Sequence, residues 1–502
     1  MRVIGRGDMS GTSTAAQTTI DATIDELRAR PGHGETIPII DPVTEEQFAE
    51  FTDGGPAAVD EAVARARASF ESGVWREQPQ SERAKVLWRI ADLLEARHAE
   101  LAEIDSLNTG MPLAQAERNI DAAVEFFRYF SGWCTKIDGT AFDIRQSGGL
   151  QGADISVHAY TIKEPVGVVG LIVPWNGPAF NAAAKLAPAL AAGCSSILKP
   201  AEETPLSAVV IEQVLAEAGV PEGVVNVVNG WGHTAGQALV DHPDVDKIAF
   251  TGSTEVGKKI VEGAAGNLKR VMLELGGKSP VLIYDDADLA TAIPAAAMGI
   301  FIHSGQACVA GSRVFVQRGV YDAVVEGITT LAGKLRYGGP KEGNRAHSGP
   351  LISERQLHRV MGYIEEGKEA GAKVVTGGER MDRRGWFVHP TVLAQVTPDM
   401  RLYQEEIFGP VVAVTPFDED DEVVAMANDS TYGLSAAVWT RDLSRAHRLA
   451  RRLDAGQVTL NCQVVWNPDV PFGGFKQSGW GYENGQIGLD GYLRSKTVFA
   501  QL

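Results

Sequence analysis

Apolar side chains recur at helical spacing over residues 56–72 (PAAVDEAVARARASFES), behind a proline suited to a first helical turn. The same period runs through 80–105 and 112–134, so the first quarter of the chain is predicted to be mostly helical. At residue 139 the period changes. Residues 139–165 alternate polar and apolar around a Gly-rich turn, which predicts a long hairpin. From 166 to 283, short β-rich runs (VGVVGLIV, SSILK, VVNVVN, KIAFTG, SPVLIY) alternate with helical stretches at 181–192, 205–218, 232–241 and 255–264. A second series runs from 285 to about 470. Its strands are RVFVQ, KVVTGG, VVAVTPF, SAAVWT and GQVTLN, and its helices 287–300, 320–334, 353–370, 420–428 and 442–453. Strand–helix alternation of this kind predicts an α/β fold with parallel, doubly wound sheets. The tail, LDGYLRSKTVFAQL, alternates again and ends as a strand. Lying outside both series, it and the mid-chain hairpin are natural edges for a homo-oligomer.

Composition narrows the picture. A chain of 502 residues, 44% hydrophobic and 22% charged, holds more than one core. Residues 1 to about 20 are rich in Gly, Ser and Thr and are expected to be disordered; Met1 and Met9 both remain as starts. The formal charge of −18 disfavours nucleic acid and anionic membranes as partners. The apolar stretch Ala179–Cys194 is interrupted by Lys185 and Pro188, and no run reaches the ~18 to 20 residues of a membrane span. No basic-then-apolar segment opens the chain as a secretory signal would. The cysteines at 134, 194, 308 and 462 form no CxxC pair and no zinc-spaced cluster with histidine. Neither a disulfide framework nor a metal site is expected, and a reduced, cytoplasmic setting fits. The 55 glycines exceed the usual share of about 7%, consistent with backbone kept bare for a ligand.

Five places carry candidate chemistry. Cys308, in FIHSGQACVAGSRV, sits on a loop bracketed by Gly305 and Gly311, where a thiol is either an accessible nucleophile or a small buried filler. In KIAFTGSTEVGKKI the strand ends at Phe250 and a helix starts near Glu255. The turn between them, with Gly252 and Ser253, offers free N–H groups to an anion such as pyrophosphate, although many strand–helix turns look alike. Glu202 follows a strand ending in Lys199 and Pro200. It is placed either to accept ribose hydroxyls and repel a 2′-phosphate or to charge a helix start. Glu274 lies between a strand and a double glycine, as a general base or a solvated charge. Asn176, after Trp175 and between two prolines, is either an oxyanion donor or a turn asparagine.

In combination these stretches are specific. PWN, KPAEETP, FTGSTEVG, LELGGKSP, GQAC, EEIFGPV and PFGGFKQSG, in that order, resemble the aldehyde dehydrogenase superfamily from near residue 56 to the terminal strand. The resemblance implies a Rossmann-like cofactor domain over 31–138 and 162–275, after a disordered 1–30. It further implies a catalytic α/β domain over 276–471 and a bridging, oligomer-forming element from 139–161 and 472–502. It puts the nucleophile at Cys308, the general base at Glu274 and the oxyanion amide at Asn176, helped by the backbone N–H of Cys308. Its cofactor contacts fall on Pro174, Trp175, Lys199, Glu202, Gly252, Ser253, Val256, Leu275, Glu406 and Phe408. Glu202 favours NAD over NADP. The implied reaction oxidises an aldehyde to its acid through a thioester, and Glu274 favours hydrolysis over transfer to coenzyme A.

Two departures stand out. The family's F-x-N-x-G-Q-x-C reads here with His303 in the Asn position, expected to be a hydrogen-bonded structural substitute. Gly177 and Ala184 stand where relatives carry bulky aromatics. They predict a wide tunnel, walled by Phe180, Trp466 and Phe472, for a bulky apolar or aromatic aldehyde. The competing readings are an acylating coenzyme A-dependent enzyme, a cofactor-free cysteine esterase, and a binding protein on the same fold. A homodimer and a homotetramer both remain open.

Overall fold

The computed structural model describes residues 14–148, 154–463 and 465–501. The two candidate starts, the first thirteen residues and the tip of the predicted hairpin lie outside them. Two large sheets dominate. The first has six strands in the order Gly479–Trp480, Arg270–Glu274, Lys247–Thr251, Val168–Ile172, Ser195–Lys199 and Val225–Val227. The last five run parallel, and Gly479–Trp480 joins antiparallel, Gly479 opposite Glu274. The second has seven strands: Lys373–Thr376, Thr391–Ala394, Val411–Phe417, Arg313–Gln317, Pro280–Ile283, Ser435–Trp439 and Gln457–Leu460. All are parallel but the first.

Strands in such sheets are buried on both faces, so they read as unbroken apolar runs rather than alternating ones. Val168, Ile172 and Ile197 belong to one core of the first sheet, while Val169, Leu171 and Leu198 belong to another. In the second sheet Leu282, Phe315 and Val438 point to one core, and Val281, Val314 and Val316 to the other. The period of two thus sorts adjacent residues onto opposite faces.

Strand SPVLIY, taken with the first series from its position in the chain, lies inside the second sheet, between Arg313–Gln317 and Ser435–Trp439. Val281 pairs with Val314 on one side and Ala437 on the other. The chain therefore crosses between sheets at Gly276 and Gly277, directly after Glu274.

The N-terminal expectation needs a larger correction. Thr14–Ala29 is a helix, and Ile20, Ile24 and Leu27 are buried in the main core. Their spacing is helical, but small polar residues around them dilute the signal. Glu26 and Arg30 fix this helix against Leu206–Ala218, with Arg30 meeting Glu212 at 2.5 Å and Gln213 meeting Glu26 at 2.5 Å. A hairpin of Thr36–Asp41 and Glu46–Thr52 follows it, within the quarter of the chain predicted to be mostly helical. The predicted helix 80–105 is two, Gln80–Ala96 and His98–Thr109, broken at Arg97.

A third sheet stands apart: Leu493–Gln501, Ile155–Pro165 and Ala141–Gln146, antiparallel. Phe142, Tyr160, Ile162 and Phe499 are exposed on it. No helix among the described residues is long and apolar enough to cross a membrane.

Candidate active site

In the first sheet the strand order reverses between Val168–Ile172 and Lys247–Thr251, and ligands bind beyond the carboxyl ends of parallel strands at such a point. Trp175 and Asn176 follow one of these strands and Gly252 and Ser253 the other. Lys199 and Glu202 end the next strand outward, and Glu274 and Leu275 end the neighbour on the other side. Topology alone gathers residues spread over a hundred positions along one edge.

Cys308 comes from the second sheet's side, on the loop before Arg313–Gln317. Three consecutive residues ahead of it are left-handed: His303 (φ 53°), Ser304 (φ 52°) and Gly305 (φ 71°). A Cβ on Gly305 would lie 2.1 Å from the Gly409 carbonyl oxygen, so glycine is needed for both torsion and space. Gln306 locks the loop. Its Nε2 donates to the carbonyls of His303 and Pro350, both at 3.1 Å, and its Oε1 accepts from the Ile352 N–H at 2.9 Å. Cys308 follows two residues later, half-buried.

Asn176 joins the two sides. Its Nδ2 donates to the Gln306 carbonyl at 3.0 Å, which orients the amide and leaves its second N–H uncommitted. His303 is buried, and its Nε2 has no hydrogen-bond partner among the described residues. Burial pushes this imidazole down to about 4, so it is neutral at physiological pH.

Glu274 is 2% exposed, and neither carboxylate oxygen has a hydrogen-bond partner. Burial first, and the carboxylate of Glu483 second, raise its pKa well above the ordinary range; Lys185 opposes them. Lys185 and Glu483 form a buried ion pair beside it. The Cys308 thiol is pushed up to about 12, by burial first and then by Glu406, Glu274 and Glu483. These groups therefore share one electrostatic environment. The double glycine permits the approach: a Cβ on Gly277 would lie 2.3 Å from the Cys308 carbonyl oxygen, and one on Gly276 would lie 2.4 Å from Glu406 Oε2.

Further residues expected at a cofactor lie at the carboxyl ends of the first sheet's strands and across from them. Ser253 caps the helix Thr254–Ala264, its Oγ accepting from the Val256 N–H at 3.3 Å; Val256 is 40% exposed. A Cβ on Gly252 would lie 2.4 Å from the Phe250 ring and one on Gly257 would lie 2.7 Å from Leu275, so this turn needs its bare backbone. Thr251 Oγ1 is buried without a partner at the same strand end. Lys199 Nζ meets Glu202 Oε2 at 3.0 Å. Burial alone would raise Glu202, but Lys199 first among the opposing groups, and Arg355 further off, hold it below the usual carboxylate range. Glu202 is thus an anionic acceptor where ribose hydroxyls are expected. Glu406 accepts from the Gly277 N–H at 2.9 Å, and burial brings its carboxyl up to about 7. Phe408, left-handed at φ 58°, sets its ring edge-on to Trp175 at 5.3 Å. Pro174 is half-buried between strand and turn.

Of the predicted tunnel residues, Phe180 and Trp466 meet at 5.4 Å, with Gly177 beside Phe180. Ala184 is buried in the main core, and Phe472 pairs through its backbone with Glu483. Sequence reading missed the Lys185–Glu483 pair, although a single lysine inside an apolar helix signals a buried cation that needs a partner.

Comparison with known proteins agrees in extent. A model of the aldehyde dehydrogenase family matches residues 29–498. The chain is 44% identical over 468 residues to mouse cytosolic aldehyde dehydrogenase 1, covering 93% of this chain and 91% of that one. It is 43% identical over 471 residues to the mitochondrial benzaldehyde dehydrogenase of Antirrhinum majus, covering 93% and 86%. The NAD+ complex of aldehyde dehydrogenase from Bacillus cereus superposes with a TM-score of 0.91 at 44% identity, covering 96% and 98%.

Proposed function

This chain belongs to the aldehyde dehydrogenase family, and on that premise we propose that it oxidises a bulky aromatic aldehyde to the carboxylic acid with NAD, through a thioester on Cys308. The observation that supports this reading best is the 3.0 Å hydrogen bond from Asn176 to the loop of Cys308, with a partnerless, buried Glu274 in the same field.

Cys308 loses its proton and attacks the aldehyde carbon. The oxyanion that forms takes the free N–H of Asn176 and the backbone N–H of Cys308. NAD, when bound, supplies a hydride acceptor and a cationic ring. Lys199 and Glu202 would hold its adenosine ribose, Gly252, Ser253 and Val256 its pyrophosphate, and Glu406, Phe408, Pro174, Trp175 and Leu275 its nicotinamide half. Glu274 takes a proton from the water that hydrolyses the thioester, returning Cys308. Burial and the Glu483 carboxylate raise the Glu274 pKa, and the neighbouring Lys185 opposes them, favouring the ionised form that takes the proton.

In this reading the first sheet with the N-terminal helices is the cofactor domain, built from 31–138 and 162–275 and extended by the helix Thr14–Ala29 and the edge strand Gly479–Trp480, and the second is the catalytic domain (276–471). The exposed three-stranded sheet bridges copies of the chain as a homo-oligomer. All four cysteines are unpaired, which suits the reducing cytoplasm.

The test is NADH formation from a panel of aldehydes, short aliphatic to bulky aromatic, by wild type and Cys308→Ala. Reduction of NAD by wild type alone, strongest with bulky members, is expected. Turnover by Cys308→Ala, or turnover that requires coenzyme A, overturns it. Gly177→Phe tests the tunnel. The extended φ of −176° does not call for glycine, while a Cβ meets Asn181 Nδ2 at a tight 3.3 Å; with folding checked by a thermal melt, the variant is expected to shift efficiency toward small aldehydes.

A further inference from the structure

Gly177 links Asn176 to the helix Pro178–Ala192, and its backbone does not require glycine. What the missing side chain exposes is therefore informative. A Cβ there would face Asn181 Nδ2 at 3.3 Å, Asn119 Nδ2 at 3.6 Å and Phe180 Cβ at 3.6 Å. Two carboxamides line the opening. Asn181 is 8% exposed, and its Nδ2 donates to the Gly177 carbonyl at 2.8 Å. That bond fixes the amide, and among the described residues no donor reaches its Oδ1. Asn119, on the helix Leu113–Ser131, spends its Nδ2 on the weak acceptor Met111 Sδ at 3.6 Å. Its Oδ1 likewise has no donor among the described residues.

Beside the amides stand three aromatic rings. Phe126, Phe180 and Trp466 pack edge to face with centroids 5.4, 4.7 and 5.4 Å apart. Phe126 lies two turns along the helix from Asn119, and Phe180 adjoins Asn181. An apolar wall with unpartnered carbonyl acceptors next to it matches a flat ring that carries a donor. A purely apolar occupant would displace water from Asn181 Oδ1 and offer nothing in return.

We propose that the substrate is an aromatic aldehyde bearing a hydroxyl, its ring against Phe180 and Trp466 and its O–H donated to Oδ1 of Asn181, with Asn119 beside it. This rests on the reading of Asn176 and Cys308 as the reacting end of the same pocket.

The test compares 3- and 4-hydroxybenzaldehyde with their methyl and methoxy counterparts. The methoxy group reproduces the electronic effect of the hydroxyl but cannot donate. At least one hydroxy isomer is expected to exceed both counterparts by roughly tenfold or more in kcat/KM, chiefly through KM. Asn181→Leu, with the same branched heavy-atom skeleton and no acceptor, is expected to bring that ratio to within about twofold of one by weakening the hydroxy member. Equal efficiencies in the wild type overturn the inference whether or not the variant folds, and so does a preference that survives Asn181→Leu. Turnover of aliphatic aldehydes only also overturns it, while Cys308-dependent oxidation stands. Absence of turnover with every aldehyde overturns the reading beneath it.

Discussion

Replacing Asn176 by alanine separates its two duties. One N–H of the amide donates to the Gln306 carbonyl at 3.0 Å; the other is uncommitted. Loss of the first removes an ordinary hydrogen bond, about 0.5–1.5 kcal/mol net. The same substitution removes Asn176 Oδ1, a buried acceptor without a partner, and relief of such a group offsets a comparable amount. The fold is therefore expected to change by no more than about 1–2 kcal/mol. Loss of the second N–H acts only where negative charge develops, and there one donor typically accounts for about 10² to 10³ in kcat, or roughly 3–4 kcal/mol. Asn176→Ala should thus melt near the wild type, keep KM within a few-fold and lose at least ~100-fold in kcat. The assay is NADH absorbance under steady state, beside a thermal melt and the rate of Cys308 alkylation by iodoacetamide. A loss of kcat under ~10-fold, or a rise in KM at constant kcat, would refute the oxyanion role.

Other perturbations follow from the same geometry. The Cys308 thiol is pushed up to about 12 by burial and by the carboxylates around it, and only the thiolate reacts. Without cofactor its alkylation should therefore rise about tenfold per pH unit from 7 to 10; a plateau near pH 8 contradicts that environment. His303 is buried and neutral, so His303→Asn should leave turnover within a few-fold. A hundredfold drop with unchanged fold would make the imidazole a proton carrier. Leu27 is 1% exposed on the N-terminal helix, so Leu27→Ala should cost about 2–5 kcal/mol in urea unfolding; no change would mean that the helix is not docked.

Much of the second half of the chain was legible because fully buried parallel strands leave dense apolar runs, and the helices between them keep their period. Helix Asp420–Asn428 and strands Arg313–Gln317 and Val411–Phe417 fall where the pattern puts them. Illegible parts were those fixed by distant partners. Pro280–Ile283 reads the same in either sheet, and its neighbours Val314 and Ala437 decide. The helix at 14–29 hides in a Thr- and Ala-rich stretch and is specified by the core it meets. At the site, residue types and order were enough to single out Cys308, Glu274 and Asn176. The Asn176–Gln306 bond, the Lys185–Glu483 pair and the amides behind Gly177 were not readable, since each joins segments far apart in sequence.

The central claim is a covalent acyl intermediate on Cys308, released by Glu274. The direct measurement is the intact mass of Glu274→Gln after mixing with NAD and an oxidisable aromatic aldehyde, with peptide mapping. The expected result is a mass gain equal to the aldehyde less two hydrogens, carried by the Cys308 peptide, formed with one equivalent of NADH and absent from Glu274→Gln/Cys308→Ala. Steady turnover without an adduct, or an adduct that persists without Cys308, would contradict it.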